Sequence, residues 1–286
     1  MPPALSLIIP THKRAAILKQ CLERIERQTV ADRLEVIVVS DGHDDETARL
    51  FETANPSSKI PIRFFEIPKS QQGVARNKGV AEATGEFVMF VGDDIFLAPD
   101  ACEKHLKILN SQFSILNSAV LGFVTWDPAC GITPVMRWLE KSGWQFGYPM
   151  IARYGHHFVP EAMQQRFTYT NQLSVPKKIA KKFPFREDVT LYGWEDIEWG
   201  WKLRKAGVKL FYEPDAKALH HHHMEMNDSL RRMETLGRSA VMMDRVTPDL
   251  KLVPHGKKMM KYRIAAMLPG MHGRHAKAFL RGIDNK

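Results

Sequence analysis

Cysteine is scarce: Cys21, Cys102 and Cys130 are the only three in 286 residues, an odd number without metal-type spacing. That excludes a disulfide-stapled scaffold, and the three thiols are expected to be reduced, in apolar settings, in a reducing cytoplasm. No stretch reaches the roughly 18 uninterrupted apolar residues of a membrane span. The start, Met1-Pro-Pro-Ala-Leu-Ser, lacks the positive n-region of a signal peptide, so none is expected. Two nucleotide signatures are also missing. Where a dinucleotide fingerprint would follow the first strand, Pro10-Thr11-His12-Lys13 stands instead, and there is no Walker A sequence. Apart from His220 to His223, no repeat or biased tract interrupts the chain.

What is present is an ordinary globular composition, 44% apolar and 26% charged, long enough for one large domain or two small ones. The net charge of +9 is uneven. Residues 1–223 hold 28 Lys+Arg against 26 Asp+Glu, whereas residues 224–286 hold 13 against 6 together with 9 of the 14 Met. The tail supplies the basicity.

Apolar runs and helical periodicity alternate along the first half. Residues 5–9 predict a buried strand stopped by Pro10, with a helix following through Ile17, Cys21 and Ile25. Further strands are predicted at 34–39, 62–67, 87–91 and 118–124, with helices from Asp44 to about Ala54 and from Gly73 to Ala83. Strands alternating with helices predict βαβ units and a parallel sheet covered on both faces. Residues 126–170, rich in Trp, Pro, Gly and Tyr, lack periodicity and form a candidate substrate-facing region. Regularity returns in a helix at 193–207, where Glu198 can pair with Lys202 and Gly207 suits the cap. A strand is predicted at 208–212, leading through Glu213-Pro214-Asp215 to the histidines.

In open parallel sheets ligands bind beyond the carboxyl ends of the strands. Thr11, Asp41 and the pair Asp93/Asp94 fall there. The adjacent carboxylates at 93 and 94 repel, and a divalent cation bridging them to a diphosphate would offset that; hard oxygen ligands suit Mg²⁺ or Mn²⁺. Taken alone, the pair is more readily explained as a turn entering the helix start at 98–100, because strand-end Asp is common turn chemistry. Likewise Glu195 and Asp196 alone would be first-turn acids favouring a helix dipole by ~0.3–1 kcal/mol.

The ordered set SLIIPTHKR, VIVVSDG, GVARNKGVAEATGEFVMFVGDDI, YGWEDIEWGWKLRKAG and FYEPDAKALHHH resembles family 2 glycosyltransferases over about residues 5–223. The resemblance implies an α/β GT-A fold, Rossmann-like with a mostly parallel sheet. A nucleotide-sugar half would span about 1–117 and an acceptor and catalytic half about 118–223. Residues 224–286 would be a basic, Met-rich, mainly helical extension. By the same resemblance Pro10, Thr11, Lys13, Asp41, Arg76 and Asp93 contact the nucleotide sugar. Asp94, Asp93 and His220 hold Mn²⁺ or Mg²⁺; Asp196 is the inverting base, and Glu195 binds the acceptor or orients that base. The usual Asp-x-Asp motif appears here as Gly92-Asp93-Asp94, with Gly92 at the first acid.

The implied activity is metal-dependent, inverting hexosyl or N-acetylhexosaminyl transfer from a nucleotide-diphosphate sugar, foremost a UDP-sugar. The acceptor would be a hydroxyl on a glycan or lipid-linked molecule, in surface glycan or polysaccharide synthesis. A non-catalytic nucleotide- or glycan-binding protein and a membrane-surface adaptor are the alternatives. The tail either packs on the catalytic domain or touches an anionic membrane at the inner face of the plasma membrane. No nucleic-acid partner is expected, because no recognised module accompanies the charge. Trp126, Trp138, Trp144 and Tyr148 are either a sugar-stacking platform or, as aromatics more often are, core.

Overall fold

The computed structural model describes residues 2–52, 58–111, 117–188 and 192–285. The chain begins with β1 (Leu5–Thr11), every residue of it buried. Helix α1 (Ala15–Ile25) buries Ala15, Leu18, Cys21 and Ile25, one face of a 3.6-residue repeat. Then follow β2 (Leu34–Asp41), α2 (Asp45–Glu52), β3 (Ile62–Ile67), α3 (Gln72–Glu82) and β4 (Phe87–Val91). These strands pair in parallel in the order β3-β2-β1-β4. The expected end of α2 at Ala54 lies outside the described residues.

The second half departs from a parallel plan. After β5 (Ile95–Leu97) and α4 (Ala101–Leu109) come β6 (Ser118–Trp126), α5 (Pro134–Ser142), α6 (Tyr148–Ile151), β7 (His157–Phe158) and α7 (Glu161–Gln164). They are followed by β8 (Gln172–Pro176), α8 (Lys177–Lys182), α9 (Glu195–Lys205) and β9 (Lys209–His220). Strand β8 runs antiparallel between β4 and β6, while β5 and β7 pair antiparallel with β9. The sheet is therefore mixed, its parallel character concentrated in the first four strands and the β6–β9 pair.

Two strands run on through a proline: β1 through Pro10, expected to stop it, and β9 past Pro214. Pro10 pairs opposite Val39, beyond Ile8, the last β1 position facing β4, so a missing donor on that open side costs little. At Pro214 strand β9 shifts register between Gly122 and Phe123 of its partner, then continues to His220 instead of ending at Tyr212. A bulge skips the residue that cannot donate. That continuation carries His220 to the ends of β1 and β4.

The tail is helical: α10 (Met226–Val246), α11 (Gly256–Met267) and α12 (Met271–Asp284). A capping box between Glu225 and Asp228 starts α10. Met233 and Ala240 of α10 pack with Ala278, Phe279 and Ile283 of α12. Met243 and Leu250 pack against Trp194, Ile197 and Trp201, which ties the tail to α9. Helix α11 buries none of its residues.

Candidate active site

The turn after β4 holds the first pair of acids. Asp93 accepts from Thr11 Oγ1 at 2.8 Å, and Asp94 lies against the end of β9, where its carbonyl accepts from His221 N at 2.8 Å. A cation does offset the two charges, and it belongs to the chain. Arg14 donates from Nη1 to Asp93 Oδ1 and from Nη2 to Asp94 Oδ2, both at 2.8 Å. Gly92 has a steric reason: a Cβ there would lie 3.0 Å from Asp94 Oδ1 and from Ile95 Cγ1, so an acid at this position would crowd Asp94.

Asp94 Oδ2 also faces His220 Nε2 at 3.3 Å and His222 Nδ1 at 3.7 Å. Desolvation would raise the Asp94 carboxyl, but His220 and Arg14 overcome it and hold Asp94 below the usual carboxylate range. Burial, together with the Asp94 charge, pushes the Asp93 carboxyl up. His222 is pushed down by burial and by His220, which favours the neutral, ligating imidazole. The His220 ring is stacked between Trp126, 5.0 Å away, and His222, 5.3 Å away. One donor atom from each of Asp94, His220 and His222 lies within 4.8 Å of the others, as a divalent cation requires. Two imidazoles and one carboxylate fit Mn²⁺ better than Mg²⁺, which prefers an all-oxygen shell. Asp93 bonds Thr11 and Arg14, and the donor atoms gathered around Asp94 are those of His220 and His222.

Beside this cluster, Thr11, Asp41 and Asp93 line a cavity of ≈ 210 Å³ together with Lys69 and Tyr192. Asp41 accepts from Lys69 Nζ at 2.7 Å and from Ser70 N at 2.6 Å. Pro10 borders both this cavity and the larger one of ≈ 440 Å³ next to it. Lys13 borders neither: it is exposed, at φ +53°, and the turn it makes delivers Arg14 to the cleft in its place.

The larger cavity joins Asp93, Asp94, His220 and His222 to the second pair of acids, Glu195 and Asp196, at the start of α9. Glu195 Oε1 accepts from Gln72 Nε2 at 2.6 Å and lies 3.5 Å from Arg76 Nη1. Arg76 is buried, with its guanidinium also over the Phe185 ring at 5.4 Å. Asp196 Oδ1 accepts from its neighbour's backbone, Ile197 N, at 2.8 Å. Desolvation and the adjacent Glu195 charge push its carboxyl up to about 7.

The turn that presents these acids is strained and held by the tail. Gly193 has φ +103° and Trp194 φ +72°, a left-handed conformation costly for a tryptophan. Trp194 Nε1 donates to Leu236 O at 2.9 Å, and Ser239 Oγ donates to Gly193 O at 3.1 Å. Helix α10 also sends Arg232 into the cleft, where it donates to Gln145 at 3.2 Å.

Sequence reasoning missed Arg14, Lys69, Gln72 and Arg232 and left His222 undecided. Lys69 was within reach, because it follows the end of a strand that the apolar run had marked. The aromatics divide: Trp126 and Tyr148 are core, and Trp138 and Trp144 pack against His272 and His275 of α12. Of the histidines between, His221 stacks on Phe96 and bonds Asp127, while exposed His223 bonds Cys130 O and Glu225.

A mixed α/β sheet with acids gathered at its strand ends defines a GT-A domain. The solved mannosyltransferase PcManGT from Pyrobaculum calidifontis, in complex with GDP-Man and Mn²⁺, shares the fold at TM-score 0.62 and 19% identity, covering 98% of this chain and 70% of that one. TarS 1-349 of S. aureus, in complex with UDP-GlcNAc, does so at TM-score 0.54 and 17% identity, covering 96% and 72%. Residues 6–123 match the model of glycosyl transferase family 2. The putative glycosyltransferase EpsH of Bacillus subtilis is 33% identical over 116 residues, which are 40% of this chain and 33% of EpsH. Over that segment, about two fifths of its length, the chain is similar to glycosyl transferase family 2, and it spans about a third of EpsH.

Proposed function

We propose that this chain transfers a hexosyl or N-acetylhexosaminyl unit from a nucleotide-diphosphate sugar to an acceptor hydroxyl, with inversion at the anomeric carbon. The observation that carries this reading is the only partly compensated Asp196, its carboxyl raised to about 7, in one cavity with the Asp94–His220–His222 cluster. A base titrating near neutrality combines the deprotonated form with useful proton affinity.

Asp196 takes the proton of the acceptor hydroxyl as its oxygen bonds the anomeric carbon. The bond from that carbon to the diphosphate oxygen breaks on the opposite face, releasing the nucleoside diphosphate. Glu195, fixed by Gln72 and Arg76, raises the proton affinity of the base through its negative charge and orients the acceptor. Thr11 and Asp41 hold the nucleoside, with Pro10 against it. Arg76, Arg14 and Arg232 offer positive charge where the leaving diphosphate gathers its negative charge. Asp94, His220 and His222 would hold Mn²⁺, which supplies further stabilisation of that charge. A UDP-sugar is the proposed donor, supported by TarS with UDP-GlcNAc; PcManGT with GDP-Man makes GDP the competitor to test. The acceptor is a glycan or lipid-linked hydroxyl in surface glycan assembly, in the cytoplasm.

Calorimetric titration of UDP, GDP, CDP and dTDP, with Mn²⁺ and then with chelator, tests the site in wild type and Asp94→Ala. One nucleotide is expected to bind only with Mn²⁺, and to bind at least tenfold more weakly to the variant. Failure of all four nucleotides with folded protein would overturn the reading.

A further inference from the structure

Helix α11 presents an apolar edge that nothing else in the described structure covers. Met260, Ile264, Met267 and Leu268 are 58%, 54%, 85% and 57% exposed. Their spacing of four, three and one places them on a single face. The opposite face is seated: Tyr262 packs its ring 5.6 Å from Phe279 of α12. By the same periodicity Lys261 flanks the exposed edge on one side and Arg263 on the other, while Lys257 stands at its N-terminal end, one turn before Met260. Charge around it has one sign, since residues 251–283 carry eight Lys and Arg and no Asp or Glu.

A soluble monomer rarely leaves a contiguous apolar strip in water, and a basic rim would repel a second copy of the same strip. An apolar edge bordered by cations matches a bilayer whose headgroups are anionic: the side chains enter the headgroup boundary while the Lys and Arg meet the phosphates. We propose that α11 docks this protein on an anionic lipid surface, lying in the interface plane with Met260, Ile264, Met267 and Leu268 inserted. The helix spans nothing: no described helix is long and apolar enough to cross a membrane. The surface lies apart from the strand-end cleft, so it stands or falls independently of the transfer reaction.

The test is flotation of the full chain with phosphatidylglycerol–phosphatidylcholine vesicles and with phosphatidylcholine vesicles alone. Wild type is expected to float with the anionic vesicles only, less as salt rises. Ile264→Ser/Met267→Ser, at exposed positions, is expected to keep the thermal midpoint and lose on the order of tenfold in partitioning. Should that variant fail to fold, Lys257→Glu/Lys261→Glu reads the same surface through its charge, with an expected loss of similar size. No flotation of wild type, equal flotation on neutral vesicles, or flotation unchanged in both variants would overturn the proposal. So would sedimentation showing a wild-type dimer that the serine variant dissolves without any vesicle binding.

Discussion

Asp93–Asp94 and Glu195–Asp196 are both adjacent acids on the wall of one cleft, but they are compensated differently. The first pair receives both arms of Arg14 and, at Asp94, two imidazoles, so Asp94 stays ionised despite its burial. The second pair gives its ion pair to Glu195; Asp196 takes backbone amide bonds, and Arg76 offsets its charge only in part. A compensated acid is suited to hold a charge in place; a partly compensated one in a low-dielectric wall is suited to take a proton. Sequence proximity is the same in the two pairs. The partners differ, and with them the chemistry.

The largest expected effect follows from removing the partly compensated acid. Asp196→Asn should lower kcat by roughly 10²–10⁴ while leaving nucleotide affinity, read by calorimetry, unchanged. Full activity in that variant would move the base elsewhere. The same substitution should act on stability in the opposite sense. The folded Asp196 keeps its proton up to about pH 7, whereas an unfolded aspartate releases it near pH ~3.9. Wild type therefore loses stability as pH rises between those values, and the variant does not. Denaturation should find Asp196→Asn more stable than wild type at pH 8 and level with it near pH 4.

Arg14→Gln should unbalance the first pair and cost about 1–3 kcal/mol at pH 8, less at pH 5 where a buried carboxyl accepts a proton. Added Mn²⁺ should restore part of the loss, and denaturant melts with and without the ion check both points. Gly193→Ala, with φ +103° and a Cβ only 2.4 Å from Leu236 Cδ2, should cost about 1–3 kcal/mol and lower kcat by displacing the second pair. A variant with native kinetics would mean that α10 does not position the turn. The smallest expected effect is electrostatic. Glu195→Gln removes a negative neighbour, so the alkaline rise of kcat should move to lower pH, by on the order of one unit. A shift upward would contradict the charge assignment.

Legibility followed locality. The strands at 34–39 and 87–91 stood out because a strand buried on both faces is a largely apolar run, whereas the edge strand at 62–67, half-buried, keeps Arg63 and Glu66 within it. The Glu198–Lys202 pair, 3.1 Å apart, lies on one helical turn. Strands β5 and β7 are three and two residues long and carry no period to detect. The continuation of β9 past Pro214 exists only because β6 and β5 offer edges on either side of it. Arg14 sits 79 residues from its partner Asp93, so no local pattern could select it over Lys13.

The sequence alone determined the parallel first half, the polar residues at its strand ends, and the basic character of the tail, because each depends on neighbours in the chain or on composition. Only the tertiary structure decided which cation meets Asp93 and Asp94, that His222 joins His220 at Asp94, and that Arg76 pairs with Glu195 and offsets Asp196 only in part. It also decided that α10 clamps the turn before Glu195 and Asp196 while α11 stays bare. Charge compensation and burial depend on distances between segments remote in sequence, and those distances exist only once the sheet has brought the strand ends together.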